Sequence, residues 1–291
     1  MDGSKVAILE VRDDVAGAVR RCVDLAGGLG LSGGEHVVIK PNVCNAKNPY
    51  GMVITDFGVV EAVIGLVKEK TDRITVVESD NISGTATDRV RRSGLSELMK
   101  GLGVEFLNLS EDEGEVHEVA GKKLRLPRTV LDADRFINLP KMKTEGHVSV
   151  TLSVKNLFGV PMRRRKSQLH GRLDEILPYL AKTVVSDLVV VDGITAMEGN
   201  GPIIGTPREL GIIVAGTNAV SVDAVCANIM GFDPHEIRYL ARAHEIGLGE
   251  IDVERIHVAG EDWRRFAVPF ERPYSLMATL KSVRSIRKVY L

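Results

Sequence analysis

Short runs of β-branched residues alternate along this chain with longer stretches in which apolar residues recur every three or four positions. The short runs predict strands over residues 6–11, 36–40, 73–78, 104–107, 135–139, 188–191, 210–215 and 255–258. The longer stretches predict helices. One is capped by Asp13 or Asp14 and runs to about residue 29, with Val15, Val19, Val23 and Leu25 on one face. Another is capped by Asp56 and runs to about residue 70; others cover much of 83–102, then 219–230 and 234–245. Residues 117–120 and 123–126 flank Gly121-Lys122 and read as a hairpin. This alternation predicts an α/β fold: a mainly parallel sheet with helices on both faces and a small β-rich insertion. With no internal repeat and no low-complexity linker, residues 1–260 read as a single α/β domain with the insertion at about 115–128. Residues 261–291 read as a basic tail, helical in part.

Composition narrows the function classes. The chain has 291 residues and a net charge of −1, so no global field steers it to nucleic acid. Aromatics are only 4 %, too few for base-stacking platforms. Cys22, Cys44 and Cys226 are odd in number and far apart, which suits reduced thiols and gives neither a disulfide framework nor an intrinsic iron–sulfur cluster. No apolar run approaches the roughly 18 residues of a membrane span, and the N-terminus lacks a signal-peptide layout, so a cytoplasmic location is expected and membrane association is not. The tail alone departs from this neutrality. Beyond Glu271 it carries Arg272, Lys281, Arg284, Arg287 and Lys288 and no acidic residue, with Leu276, Leu280, Val283 and Ile286 at helical spacing. A helix packed on its own domain, a partner-binding helix and a membrane-surface helix all fit that pattern.

The chemistry-bearing residues gather after strands. In open parallel sheets ligands bind beyond the carboxyl ends of the strands. Here the strand at 36–40 ends in Lys40-Pro41-Asn42, that at 73–78 in Glu78-Ser79-Asp80-Asn81, that at 135–139 in Pro140-Lys141-Met142-Lys143, and that at 188–191 in Asp192-Gly193. Lys40, Asp80, Lys141 and Asp192 are therefore expected around one cleft. Within 138–172, Lys141, Lys143, Lys155 and Arg172 offer charge to a phosphate or carboxylate, with Lys40, Asn42 and Asn156 completing a substrate-binding set. The run Arg163-Arg164-Arg165-Lys166 reads by itself as a solvated basic loop. His147, and after it His170, are the candidate proton-transfer groups, and Lys155 joins His147 as catalytic. Asp192, Glu198, Asp223 and Glu78 supply hard oxygen donors for a divalent metal, Mg²⁺ or Mn²⁺, if the glycine-bearing loop over 192–202 folds Asp192 and Glu198 onto one ion. Asp223 fits equally as a first-turn acid complementing a helix dipole. Cys44 is a nucleophile candidate without a visible base. No phosphate-binding Gly-x-x-x-x-Gly-Lys-Ser/Thr loop, His-Glu-x-x-His helix or Gly-x-Ser-x-Gly elbow occurs.

At these residues the chain resembles the mostly prokaryotic family called domain of unknown function 362. The resemblance rests on Ile39-Lys40-Pro41-Asn42, Asn138-Leu139-Pro140-Lys141-Met142-Lys143-Thr144, Ser153-Val154-Lys155-Asn156-Leu157-Phe158-Gly159, Asp192-Gly193-Ile194, Glu198-Gly199-Asn200-Gly201-Pro202 and Val222-Asp223-Ala224. It covers roughly residues 4 to 250. Many relatives carry a ferredoxin-like module with clustered cysteines. This chain has none, so the resemblance implies that any redox role would use a separate ferredoxin-like partner. Two readings follow: an enzyme acting on a small anionic metabolite with a divalent metal, its reaction open between group transfer, hydrolysis and redox isomer chemistry; or a non-catalytic binding or electron-transfer accessory to an iron–sulfur protein. A homo-oligomer is compatible with either.

Overall fold

The computed structural model describes residues 5–163 and 165–290, so Arg164 of the basic run lies outside the described residues. In chain order the first half contains β1 (Lys5–Glu10), α1 (Val15–Ala26), β2 (Val37–Pro41), α2 (Phe57–Lys68), β3 (Ile74–Glu78), α3 (Ala86–Ser93), α4 (Leu95–Leu102), β4 (Glu105–Asn108), β5 (Gly114–Val119), β6 (Lys122–Pro127), α5 (Arg128–Leu131) and β7 (Arg135–Leu139). The second half contains β8 (Lys141–Glu145), β9 (Ser149–Thr151), α6 (Ser153–Asn156), α7 (Leu173–Thr183), β10 (Leu188–Glu198), β11 (Thr206–Gly216), α8 (Ala219–Ile229), α9 (Arg238–Glu245), β12 (His257–Gly260) and α10 (Leu276–Tyr290).

Among the described residues ten strands form one mostly parallel sheet in the order β12-β1-β11-β10-β7-β2-β3-β4, with β8 and β9 branching from β10. Along the main path only β11 runs antiparallel to its neighbours. The hairpin β5–β6 pairs only with itself. β2 and β3 bury every residue, as strands covered on both faces must. Alternate side chains feed two cores. Ala7, Val37 and Ile39 point to the side held by α1, α2 and α4, where Val19, Val63 and Met99 lie. Val6, Ile8 and Val38 point to the side held by α7, α8, α9 and the hairpin, where Leu177, Val222, Leu240 and Leu126 lie. The period of two along a strand thus divides one sequence between two cores.

Three segments differ from the sequence reading. Residues 83–102 form two helices because Gly94 takes φ 89° between them, a left-handed turn that only glycine adopts without cost. The polar stretch after Pro140 is not a plain loop: β8, β9 and α6 lie within it, and α7, absent from the expectations above, follows with Leu173, Ile176, Leu177 and Leu180 buried despite Pro178. The expected glycine loop over 192–202 is strand as far as Glu198. β10 continues through a bulge between Gly193 and Thr195, and Thr195–Glu198 pair with Thr206–Glu209 of β11. Six residues of strand separate Asp192 from Glu198 by about 20 Å, so the two carboxylates cannot share one ion. Among the described residues no helix is long and apolar enough to cross a membrane.

The branch at β8 depends on one ion pair. Lys141 Nζ donates to Asp192 Oδ2 at 2.7 Å, and both side chains are buried. Asp192 also accepts from the backbone of Asp56, the cap of α2, at 2.7 Å and of Ile194 at 3.1 Å. The pair therefore ties β8, β10 and the start of α2. Lys141→Met leaves a buried carboxylate without its cation and is expected to cost about 3–5 kcal/mol, read as a lowered midpoint in urea unfolding. A cost below about 1 kcal/mol, typical of a surface pair, would show that the pair is not structural.

Candidate functional site

Chain connections leave β2 in opposite directions. From β2 the chain proceeds outward to β3 and β4; it then returns to β7 on the other side of β2 and continues to β10. β2 and β7 thus flank a switch point, and the crevice beyond its carboxyl edge is where open α/β sheets place ligands. A cavity of about 340 Å³ lies there. It is lined by Lys40 and Asn42 after β2, Glu78 and Ser79 after β3, Lys143 and Glu145 of β8, and Lys155, Asn156, Phe158 and Gly159 after β9. Arg165, Lys166 and His170 come from the segment before α7, with Pro202 and Ile203 from the turn after β10.

The cavity is built around lysines. Lys40 is fully buried and donates to Glu78 at 3.0 Å and to its own chain at Pro41 O at 3.1 Å. Lys143 is fully buried and donates to Asn42 Oδ1 at 2.9 Å and Val53 O at 2.9 Å, with Cys44 Sγ at 3.4 Å. Lys166 is buried and donates to Ser79 Oγ at 2.6 Å. Lys155 is partly exposed, and its ammonium sits 4.5 Å from the centre of the Phe158 ring. Burial lowers the pKa of all four, against the pull of Glu78 on Lys40 and Lys166 and of Glu145 on Lys155. For Lys166 burial brings it to about 7. Each lysine also stands near another cation: Lys40 near Arg89, Lys143 near Lys141, Lys155 near Lys143, and Lys166 near Lys40.

A chain of amides fixes the floor. Asn42 Nδ2 donates to Asn156 Oδ1 at 3.0 Å, and Asn156 Nδ2 donates to Asn138 Oδ1 at 2.8 Å. Asn138 Nδ2 in turn donates to Ser153 O at 2.9 Å. Asp223 grips the start of α6 from below, accepting from the backbone of Ser153 at 2.8 Å and Val154 at 2.9 Å and from the Ser153 hydroxyl. Burial raises its pKa to about 7 although those donors pull the other way. Arg89 is fully buried and donates to Val43 O, Gly84 O and Ser79 O at 2.6–2.8 Å, holding the loops after β2 and β3 together.

One wall can move protons. Glu145 Oε1 meets His147 Nδ1 at 2.6 Å, and the His147 ring lies 4.2 Å from that of His170, which faces the cavity. Burial would raise the pKa of Glu145, but Lys155 and His147 outweigh it and hold it below the usual carboxylate value. Burial lowers the pKa of His170, and the adjacent His147 and Lys155 charges lower it further. The result is a neutral imidazole beside a cluster of cations, with an ionised carboxylate two groups behind it.

Of the residues expected in a shared site, Lys40, Asn42, Lys143, Lys155, Asn156 and Glu78 line this cavity. His147 stands one ring behind it. Lys141 does not line it, because Asp192 holds its ammonium. Arg172 lies outside, on the surface against Glu175 at 3.2 Å. Asp80 caps α3 by accepting from Ala86 and receives Asn108 as well. The four carboxylates expected to bind a metal do not converge. Asp192 is filled by Lys141, Asp56 and Ile194; Asp223 by Ser153 and Val154; Glu78 by Lys40, Val43 and Ser79. Glu198 lies near Arg208 and Lys281, each at 3.9 Å. Asp192, Asp223 and Glu78 are committed to protein donors, and Glu198, which accepts from the backbone of Glu271 at 3.2 Å, stands apart from them, so this set does not fit one divalent ion. Among the described residues no group of three or more His, Cys, Asp or Glu is placed to hold one. Arg165 and Lys166, read from sequence as part of a solvated loop, and Glu145, Phe158 and Gly159, given no role there, are among the cavity residues that reasoning from sequence missed. Gly159 carried one visible signal, a glycine directly after Leu157-Phe158 within a polar segment.

Two expectations test this geometry. A Cβ at Gly159 would sit 2.5 Å from Lys40 Nζ and 2.7 Å from Glu78 Oε1, so the buried Lys40–Glu78 pair would have to shift and its 3.0 Å contact would be disturbed. Gly159→Ala should therefore destabilise the protein by about 1–3 kcal/mol in thermal unfolding; an unchanged melting temperature would mean the floor is loose. Lys166 has a folded pKa of about 7 against an ordinary value of 10.5. Between those values the unfolded chain holds a proton that the folded protein has lost. Stability therefore rises with pH across that window, and the cost of burying the charge is fully present below pH 7. Lys166→Met should remove this contribution, at most about 1.4 kcal/mol per pH unit, from the pH profile of urea stability. Parallel profiles for the two proteins would contradict the burial of Lys166.

Residues 37–228, which include every cavity lysine, match the family described as "Domain of unknown function (DUF362)". A thylakoid-associated protein of Synechocystis sp. is 32 % identical over 246 residues, covering 81 % of this chain and 76 % of the relative. Among solved structures, the lactate racemase apoprotein of Thermoanaerobacterium thermosaccharolyticum matches with a TM-score of 0.45 at 12 % identity over 80 % of this chain. A Thermotoga maritima protein matches with 0.41 at 10 % identity over 87 %. The chain spans 58 % and 62 % of those two proteins. By the extent of the family match and the identity to its curated relative, the chain belongs to the DUF362 family.

Proposed function

We propose that this protein is an enzyme that binds a small anionic metabolite, phosphorylated or carboxylated, in the cavity beyond β2 and β7 and moves a proton on it. One observation carries the reading: among the described residues five cationic side chains, Lys40, Lys143, Lys155, Arg165 and Lys166, line a single cavity with two carboxylates, Glu78 and Glu145. Cations brought together in a partly dry site repel one another, and an anion is the ligand that relieves the repulsion. Lysine serves here as a compact point charge, and the half-buried Lys155 and exposed Arg165 at the rim suit closing on a bound group.

The proton step belongs to the histidine wall. His170 in its neutral form accepts a proton from the bound molecule, and the nearby ammonium groups stabilise the negative charge left behind. Glu145, held against His147, favours the charge that His170 gains, while the adjacent His147 and Lys155 oppose it and make that proton easy to give up again. Lys166, with a pKa near neutrality and its ammonium 6.0 Å from the centre of the Phe158 ring, is the complementary acid or base. The expected metal ligands are committed elsewhere, so the chemistry is assigned to these side chains. A cytoplasmic setting suits the three free cysteines.

Melting temperature measured against phosphate, pyrophosphate, sugar phosphates and dicarboxylates tests the reading. At least one class should stabilise the protein, by about 2.7 kcal/mol at a concentration of roughly 100 times its dissociation constant. Lys155→Met should abolish that shift while costing little stability without ligand, and Arg172→Met, outside the cavity, should keep it. Loss with Arg172→Met but not Lys155→Met would place the anion elsewhere, and a protein indifferent to the whole panel would remove the anionic substrate.

A further inference from the structure

Helix α10 turns the wrong side to the protein. Its buried residues are small or hydroxylated: Ala278, Ser282, Ser285 and, at the end, Val289. Its larger apolar residues face out, with Leu276, Leu280 and Val283 exposed by 80 %, 61 % and 65 %. At 3.6 residues per turn these three fall within an arc of about 60°. The rotation of the helix is fixed by polar bonds on its inner side. Asn200 Nδ2 donates to Ser282 Oγ at 3.0 Å, and Ser285 Oγ donates to Gly205 O at 2.5 Å. The outward apolar strip is therefore a feature of the docked helix.

We propose that this strip lays the protein on an anionic lipid surface. Residues 272–291 contain five basic residues and no acidic one, so the apolar strip sits in a cationic segment of an otherwise balanced chain. Exposed aliphatic side chains in a basic helix are the pattern that enters the boundary between lipid headgroups and acyl chains, the apolar face buried and the cations on anionic headgroups. A second copy of this chain is a poor occupant: a two-fold contact would set each basic segment against itself. The absence of a membrane-spanning helix bears on crossing a bilayer and leaves lying on one open. The inner bonds of α10 also hold both ends of the turn whose Pro202 and Ile203 line the cavity, so docking would bring the cavity rim close to the lipid surface.

Co-sedimentation of the full chain with vesicles tests this. Vesicles containing phosphatidylglycerol should bind the protein, vesicles of phosphatidylcholine alone should bind it weakly, and salt should release it. Leu280→Asp and Val283→Asp, at exposed positions where folding is not at stake, should each lower the partition coefficient at least about tenfold. Val185→Asp, an exposed valine away from α10, should leave binding intact. Failure to bind either vesicle overturns the proposal, as does equal binding by all variants. Concentration-dependent self-association lost in Leu280→Asp, without vesicle binding, would give the strip to a second copy and equally overturn it.

Discussion

Lysine ammonium groups enclosed at one point with too few carboxylates to neutralise them form the constraint from which the site follows. Transferring a charge from water into a protein interior is costly unless it is paired. Lys40 meets that cost through Glu78, and Lys143 through an amide and a carbonyl. Lys166 has a hydroxyl as its hydrogen-bond partner, and burial brings its pKa down to about 7. A fold selected only for stability would replace such a lysine with an apolar residue. Its retention beside a cavity, with a neutral histidine opposite, is what an anion-binding catalyst requires.

The polar residues divide their labour by whether their partners are complete. Lys141 and Asp192 satisfy each other and the cap of α2, so they hold strands in register and present nothing to a ligand. Asp223 spends its oxygens on the first turn of α6 and thereby aims Lys155 and Asn156 into the cavity. Arg89 spends its guanidinium on three carbonyls and sets the loops on the other wall. These groups surround the site without lining it, and removing them would disturb binding through geometry. The lysines inside keep donor capacity and charge to offer.

Much of the fold was legible because its signals are local. The eight strands along the main path of the sheet were each expected from short apolar runs, while β8 and β9 were not, and Asp14 and Asp56 cap α1 and α2 as their positions suggested. The sheet edge bearing Lys40, Glu78 and Lys143 followed from the rule about strand ends. What sequence could not supply was direction. Lys141 and Lys143 lie two residues apart on one strand and look alike, yet one is captured by Asp192 and the other lines the cavity. Asp192 and Glu198 read as a metal loop because Gly193, Gly199 and Gly201 break the β pattern around them; the ladder to β11 carries the strand through. Lys166 hid within an arginine-rich run whose exposure is the ordinary outcome, and only the return of that run over Phe158 buries it.

The direct test of the central claim is where a phosphate-like anion settles. Crystals of the protein soaked in tungstate would reveal the ion by its anomalous scattering, independent of any assumed substrate. The account predicts a peak inside the cavity, within hydrogen-bonding reach of at least two of Lys40, Lys143, Lys155 and Lys166. Peaks confined to surface arginines, with none in the cavity at an ion concentration that saturates those surface sites, would contradict it.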